Sequence, residues 1–478
     1  MLRIIIEKEI LDNLMNIRFI AASIISTVLI IAAVMIHTNG YKNELADYNG
    51  RQIAQEDFIQ HYGHLNRFGW MAQPVRGPSR FAFFVRGIDR EAEQLNFVSN
   101  PLPALFSEID LVGIVTIIMS LMAILFSYNA ISGEREAGLL KLMLSTHISR
   151  STIVLGKFIG GSITILIPFT VGVLAGLVYV IVNPSIQIQG VDAGVFALLL
   201  LASFLYISAF YGLGLYFSAR SHSSNTAVLK SLFAWVIFVL MLPNISPFLA
   251  AQLYHIPSKT TIDQATWTLQ GEERDKIINQ RTKELQQMRY ADIAKNITGA
   301  FDGSNENSVK VKAETDPAFK LRYNQYRKDW MAMVDEVNAK QKEKADAIRK
   351  EFIVKSKFQE KLAGMLASVS PLPNFVFIAT DLTDTGIQDD ADWKTQSEQY
   401  FTDMNPKLMA IYNKAVEKNP ALTVNDFLDL REFPRFQRQP IKLSDKIDST
   451  LPHFGVLAFF NLLFLAGAFV SFLRYDAR

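Results

Sequence analysis

Six stretches of this 478-residue chain are so long and so apolar that they fix what the rest of it can become. They are Phe19–Ile36, Leu111–Ile131, Phe158–Val182, Gly194–Ser218, Ser231–Leu253 and Phe454–Leu473. A helix rises about 1.5 Å per residue, so roughly 18–20 apolar residues cross the ~30 Å of hydrocarbon in a bilayer. Inside that slab each backbone N–H and C=O needs a partner within the protein, which selects helices for runs of this length. The chain is therefore predicted to be an α-helical polytopic membrane protein with six spans.

The apolar runs also set what the remaining segments are. Residues 1–18 precede the first span (19–36) and mix Ile4, Ile5, Ile6, Ile10, Leu11 and Leu14 with Lys8, Glu9, Asp12 and Asn13, the pattern of a helix lying in the membrane interface. The first run is longer than the apolar core of a signal peptide, and no small-x-small cleavage pattern follows Ile36, so it is read as a retained span. Lysine and arginine concentrate in short cytoplasmic loops. Arg135, Lys141, Arg150 and Lys157 lie between the second and third spans, and Arg220 and Lys230 between the fourth and fifth. Arg474 and Arg478 lie in the tail, 474–478, whereas Asn183–Ala193 holds no basic residue. Both termini and the 132–157 loop are thereby predicted to be cytosolic. A smaller mixed segment, 37–110, and a large, mostly helical one, 254–453, are predicted to be extracytoplasmic.

In the smaller segment, Arg80–Arg86 reads as a strand between the turn formers Gly77-Pro78 and Gly87. His61 and His64 have a spacing that can hold a metal, but no acidic third ligand accompanies them. In the larger one, Asp316-Pro317 is a helix start, and Phe319, Tyr323, Tyr326, Trp330, Met333 and Val337 recur at four- and three-residue steps, a seam for a second helix. Ile262–Ile297 is the antiparallel partner expected for it, and the long helix is expected to continue to about Leu366. Pro168 in the third span and Pro243 and Pro247 in the fifth point to kinks or breaks. Phe375–Ile378 is expected to pack on the membrane surface or on the base of this stalk. Asp381, Asp384, Asp389 and Asp390 do not fit a calcium loop, which needs a glutamate at its twelfth position, and read as a solvated acidic loop. The basic-aromatic run Arg431–Arg438 is expected to meet lipid headgroups or an extracytoplasmic partner.

Several classes of function are excluded. Cysteine is absent, which removes disulfides and thiolate metal sites. A net charge of +2 gives no reason to expect nucleic acid. There is no Gly-x-x-x-x-Gly-Lys-Ser/Thr phosphate loop, no His-Glu-x-x-His and no Gly-x-Ser-x-Gly, so neither ATP hydrolysis nor a hydrolase mechanism is written in this chain. The third and fourth spans carry no acidic or basic residue, unlike a proton- or ion-coupled carrier. The energy for any transport must come from a partner.

The stretch Ser132–Lys157 fits that need. It combines charge, glycine and a compact apolar pattern between two spans, and it resembles the first intracellular loop of ABC-2-type transporter permeases. That loop looks like Gly-Glu-Arg-Glu-x-Gly-Thr-Leu, then Leu-Leu-Ser-x-Pro-Ile-Ser-Arg, then a hydrophobic step ending in Gly-Lys. Gly133, Glu134, Arg135, Glu136, Gly138, Leu140, Leu144, Ser145, Ile148, Ser149, Arg150, Gly156 and Lys157 match it. Leu139 stands where threonine is frequent and His147 where proline is frequent. The six-span order extends the resemblance over nearly the whole chain, and the size of the 254–453 insert resembles the branch with a large extracytoplasmic domain of unassigned function.

The resemblance implies an ABC-2, type V exporter-like fold in the bacterial inner membrane. It implies two permease chains, identical or sister, working with two cytosolic ABC ATPase subunits that bind ATP and magnesium, while this chain binds no cofactor or metal itself. Gly133, Glu134, Arg135, Glu136, Gly138, Leu139, Leu140, Lys141, Met143 and Leu144 would form the ATPase-coupling element. On that reading Glu134, Arg135, Glu136 and Lys141 set register on the ATPase, and Leu139, Leu140, Met143 and Leu144 supply the apolar anchor. The competing expectation is a membrane-anchored scaffold or mechanical transmitter that works its outer domain without moving a substrate.

Overall fold

The computed structural model describes residues 1–62, 73–87, 109–145, 148–184, 186, 190–291, 316–419, 426–430 and 433–474. Helices dominate these residues, and six of them are long and apolar enough to cross a membrane: Ile17–His61, Leu111–Glu136, Arg150–Ile181, Asp192–Arg220, Ser224–Leu253 and Leu443–Leu473. The chain divides into two compact units, Met1–Asn244 with Ala367–Arg478, and Ile245–Leu366.

In the first unit the spans pack around a main apolar cluster that includes Ile30, Ile114, Phe169, Val173, Tyr206, Phe210, Trp235, Leu457 and Phe464. Gly172 and Gly176 of the third span let the first span approach closely, for a Cβ at either would lie 3.0–3.2 Å from Ile30 or Val34. The second span opens with an N-cap, Asp110 accepting from the Gly113 amide at 2.8 Å. A π-helical turn follows at Ile114–Met119 and another sits in the fifth span at Val236–Met241. The side chain of Trp235, at the edge of the second turn, donates to Ser120 Oγ at the edge of the first, 2.8 Å away.

Several helices outrun the boundaries expected from hydropathy. The first span belongs to one 46-residue helix, Ile17–Tyr62, because nothing between Asn39 and Tyr62 competes with the helical backbone, Gly40 and Gly50 included. The last span begins at Leu443, eleven residues before its apolar run. Pro168, Pro243 and Pro247 all lie in regular structure. The third span runs unbroken from Arg150 to Ile181, and Leu242–Leu253 continues the fifth beyond its π turn, so neither span breaks at proline. The Asn244 side-chain amide, bonded to the Leu240 carbonyl at 2.7 Å, satisfies one acceptor in that disturbed stretch.

Three local expectations need correction. Arg80–Phe84 forms turns and no strand, with Phe84 and Val85 donating back to the Phe81 carbonyl. Phe81, Phe83, Phe84 and Val85 are buried, so the apolar run seats the segment on the spans instead of pairing with another strand. Phe375–Ile378 lies in a helix, Pro371–Leu382, that turns back among the spans. Phe375 and Ile378 are fully buried, and the Phe375 ring lies 5.1 Å from that of Tyr206, so this stretch is core and does not rest on the membrane surface.

The third correction concerns the acidic loop, which is paired and largely buried. Asp389 takes Arg76 and Arg438, Asp390 takes Arg76 at 3.3 Å and Lys394 at 2.8 Å, and Asp384 takes Lys446 at 2.7 Å. Both arginines also lie 5.7 Å from the Trp393 ring. The basic-aromatic run is absorbed in the same way: Arg435 grips Glu56 with two hydrogen bonds of 2.7 and 3.0 Å, and Phe433 packs with Ile59, Met404 and Leu408. Arg431 and His64 lie outside the described residues. His61 bonds within its own helix to Asp57, and among the described residues no cluster of acids and histidines could hold a metal.

Asp381 is half-buried near two other carboxylates. Burial first, then the carboxylates of Asp384 and Asp389, push its acid up to about 6. Because the folded protein then holds this proton more tightly than the unfolded chain does, the stabilisation is complete below about pH 4 and is lost as pH rises through about 6. Asp381→Asn is expected to remove on the order of 2 kcal/mol of that pH dependence. Unfolding midpoints followed from pH 4 to 7 test this; equal slopes for the two proteins would refute it.

The second unit is a helical hairpin. Asp316 caps the long arm, its Oδ1 accepting from the amides of Ala318 and Phe319, and the arm then runs for 51 residues from Pro317 to Ala367. Its partner is built from Lys259–Thr268, a π-helical turn at Leu269–Glu273, and Arg274–Arg289. Tyr290 packs on Tyr326 at 5.2 Å, Trp330 donates to Thr282 at 3.0 Å, and Arg281 reaches Glu336 at 3.3 Å. The expected aromatic seam thus faces an antiparallel partner. The far end of that expected partner, from Asp292, lies outside the described residues.

Candidate functional site

The 132–157 loop is built from two short helices and a glycine between them. Ser132–Glu136 makes little more than one turn and ends where Gly138 adopts φ +74°, the left-handed conformation that closes a helix with least strain in glycine. Leu139–Ser145 follows. Gly133 has no comparable steric reason, since a Cβ there would meet nothing nearer than 3.6 Å.

This short element is tied to the adjoining spans from several sides. Ser218 Oγ accepts from the amides of Ile131 and Ser132 at 2.9 and 3.0 Å. The Arg135 guanidinium donates to the carbonyls of Ser221 and Ala219 at 2.8 and 3.1 Å, satisfying the end of the fourth span's helix. Glu136 accepts from the Ser224 amide and hydroxyl at 3.0 and 2.7 Å, which places a negative charge on the N-terminal turn of the fifth span's helix. Arg150 closes the far side by donating to the carbonyls of Phe472 and Leu473 at 3.1 and 2.6 Å. Both ends of the described chain therefore meet at this loop.

A buried charge network joins the loop to the N-terminal helix, Leu2–Leu14. Lys157, 2% exposed, places its ammonium 3.0 Å from Glu9 Oε2 and 3.0 Å from Glu134 Oε1, and Lys8 reaches the same Glu134 oxygen at 2.9 Å. Backbone geometry makes the approach feasible: a Cβ at Gly156 would lie 2.6 Å from Ile5, and one at Gly160 would lie 3.0 Å from Glu9. The Gly156-Lys157 pair thus has a physical meaning, closeness from the glycine and charge from the lysine. The N-terminal helix buries Ile5 and Glu9 on this side and leaves Ile4 and Leu11 about 60% exposed.

These contacts sort the ten candidate residues. Glu134, Arg135 and Glu136 are engaged within the chain, so their charges brace the loop. Leu140 is fully buried with Ile5, Ile131, Ile153, Leu215 and Phe472, and Met143 and Leu144 pack partly against the same cluster. Leu139 is 48% exposed, and Ala137, Gly138 and Lys141 are exposed beside it. Leu142, 65% exposed, joins this outward face although the motif did not single it out. Glu9, Lys8 and Ser218 were also missed. The one local signal for Glu9 was an acid spaced four residues from Ile5 in an apolar helix. His147 lies outside the described residues.

A family model described as "ABC-2 family transporter protein" matches residues 3–477. Two curated proteins, each described as "Probable ABC transporter permease protein NosY", are similar to part of the chain. The one from Pseudomonas aeruginosa is 30% identical over 151 residues, 31% of this chain and 53% of that protein. The one from Stutzerimonas stutzeri is 30% identical over 152 residues, 31% of this chain and 52% of that protein. The chain spans about half the length of the curated relatives it matches.

Proposed function

This chain belongs to the ABC-2 transporter family, and from that premise we propose that it is the membrane permease subunit of an ATP-driven transporter of the bacterial inner membrane. It exports or extracts a substrate while separate cytosolic ATPase subunits hydrolyse ATP with magnesium. Two such subunits and a second permease chain complete the assembly. The 132–157 loop is the seat of the ATPase, with both termini on the same cytosolic side.

The observation that carries this reading is the division of labour in the loop. Glu134, Arg135 and Glu136 hold it to three spans and Leu140 anchors it in the core, so a push on the loop moves the helices it joins. Ala137, Gly138, Leu139, Lys141 and Leu142 remain on the surface as the contact for the ATPase. Leucines that become buried at such a contact gain from the apolar area removed from water, whereas rim ion pairs contribute little.

Leu139→Asp with Leu142→Asp is expected to weaken ATPase association by about tenfold or more while leaving the unfolding temperature of the permease unchanged. Co-purification of the ATPase with the full-length chain reads this directly, and undiminished association would remove the assignment. Leu140→Asp is no substitute, because it places a carboxylate in the packed cluster and tests folding.

A second reading is favoured by the single helix Ile17–Tyr62, which runs from the first span out to pack Ile59 against Met404 and Leu408. In that reading ATP-driven motion works the outer part of the protein and nothing crosses the bilayer. ATP-dependent flux in sealed proteoliposomes separates the two.

A further inference from the structure

The lower end of the hairpin's long arm carries an apolar stripe that its own unit leaves open. Val354, Phe358, Lys361 and Met365 fall within about 60° of one another on the helix at about 100° per residue. The three apolar members are 62%, 54% and 57% exposed. A soluble helix would turn such residues inward and set charge on this face. Here the inward contacts go elsewhere, and the stripe looks outward.

The depth of this stripe is fixed by its partner. The fifth span's helix runs from Ser224 to Leu253, and its last turns, from Ile245, belong to the same unit as the arm. Immediately after it, Tyr254 packs on the Phe358 ring at 4.8 Å and accepts from the Gln359 side chain at 2.6 Å. The pairs Tyr290 with Tyr326, Trp330 with Thr282 and Tyr254 with Phe358 run in opposite directions along the two helices. Residues beyond Gln359 therefore run back beside the end of a membrane span. Phe248, Leu249 and Leu253 on that end are themselves 63%, 44% and 69% exposed. From Phe358 to Leu366 the arm descends about 12 Å, within the ~15 Å of one hydrocarbon leaflet.

We propose that the Phe358–Leu366 end of the arm is bathed in the leaflet remote from both termini, with Phe358 and Met365 facing acyl chains, Val354 at the level of the headgroups, and Lys357 and Lys361 binding lipid phosphates. Three features favour lipid as the occupant. Exposed apolar residues at the end of the fifth span, Phe248, Leu249 and Leu253, adjoin the stripe through the Tyr254–Phe358 contact. Tyr254 and Phe358 sit where aromatic side chains border a bilayer. Exposed lysines, among them Lys357 and Lys361, flank the stripe, and their flexible stems let the ammonium rise to the headgroups while the methylenes stay in apolar surroundings.

The chain has no cysteine, so single-cysteine variants report their sites without background. Glu351→Cys, Val354→Cys, Phe358→Cys and Met365→Cys in the full-length protein, each carrying a nitroxide, are to be compared in phosphatidylcholine vesicles with and without phosphatidylglycerol. Expected is a low ratio of oxygen to aqueous-nickel accessibility at Glu351 that rises through Val354 and Phe358 to a maximum at Met365. Phosphatidylglycerol is expected to immobilise the Phe358 label further, and Lys357→Gln with Lys361→Gln to abolish that shift, while inorganic phosphate has no effect. Nickel accessibility at Phe358 and Met365 as high as at Glu351 would overturn the proposal. So would shielding from both reagents, which would assign the stripe to a protein neighbour such as a second copy. Neither reading depends on whether the chain moves a substrate.

Discussion

Lys157→Met is expected to cost about 3–5 kcal/mol of stability and to free the N-terminal helix from the third span. The ammonium of Lys157 is nearly inaccessible and lies 3.0 Å from both Glu9 and Glu134. Removing it leaves Glu9 buried beside a second carboxylate, with only Lys8 near the pair to offset two negative charges. The desolvation cost already met by the intact network then has no Coulombic return. Thermal unfolding in detergent or nanodiscs should show the loss, and limited proteolysis should cut within Met1–Asn16 where the parent protein resists. Adding Glu9→Gln and Glu134→Gln to Lys157→Met should restore much of the stability, because neutral groups of similar shape carry no unpaired charge. Lys141→Met, at an exposed position, should move stability by no more than about 0.5 kcal/mol. If Lys157→Met and Lys141→Met prove indistinguishable, the network contributes nothing and the bracing argument for the loop falls with it.

Gly161→Ala is expected to be as damaging, by steric means alone. A Cβ at this position would lie 1.8 Å from the Tyr211 hydroxyl and 2.1 Å from its ring carbon, and Tyr211 is wholly buried. Overpacking of a closed core costs about 1–3 kcal/mol and more where the neighbour is rigid, so a sharp fall in folded yield is expected. Tyr211→Phe alone should be neutral or mildly stabilising, since the buried hydroxyl has no hydrogen-bond partner. It should not rescue Gly161→Ala, because the ring remains in the way. Gly214→Ala offers the contrast. Its Cβ would meet Ser127 Oγ at 1.9 Å and the next atom at 3.1 Å, so Ser127→Ala should recover most of the loss. Fluorescence-detected size-exclusion and thermal unfolding compare the single and paired variants. Rescue of Gly161→Ala by Tyr211→Phe would show that the helices can separate there at little cost.

The parts of this protein legible in the sequence are those set by nearest neighbours along a helix. Six spans followed from the length of apolar runs, and the arm's seam from Phe319 to Val337 followed from its four- and three-residue steps. Asp316-Pro317 announced its own helix start. What escaped was decided by partners distant in the chain. Asp389 looks solvated until Arg76 and Arg438 are brought to it, from positions more than 300 and nearly 50 residues away. Phe375–Ile378 looks like a surface patch until the Pro371–Leu382 helix turns it toward Tyr206. In the 132–157 loop the residue types are charged and apolar, but their direction is not written in the sequence: Glu134, Arg135 and Glu136 bond to their own chain, and Leu142 outside the motif shares the surface with Leu139. Residue type records that a side chain will find a partner; the register of two helices decides which one.

The helix Ile17–Tyr62 has the geometry of a lever arm. Its 46 residues make a rod about 69 Å long, held in its first half by the close approach of Gly172 and Gly176 of the third span to Ile30 and Val34. Tilting such a rod by about 5° about its lower end sweeps the tip sideways by about 6 Å, the rise of roughly one helical turn. A displacement of that size at Ile59 is enough to shift the packing against Met404 and Leu408 by one residue contact. Mechanical gain is thus set by length, so shortening the rod by two turns between Leu45 and Ile59 would reduce the stroke in proportion without touching either end.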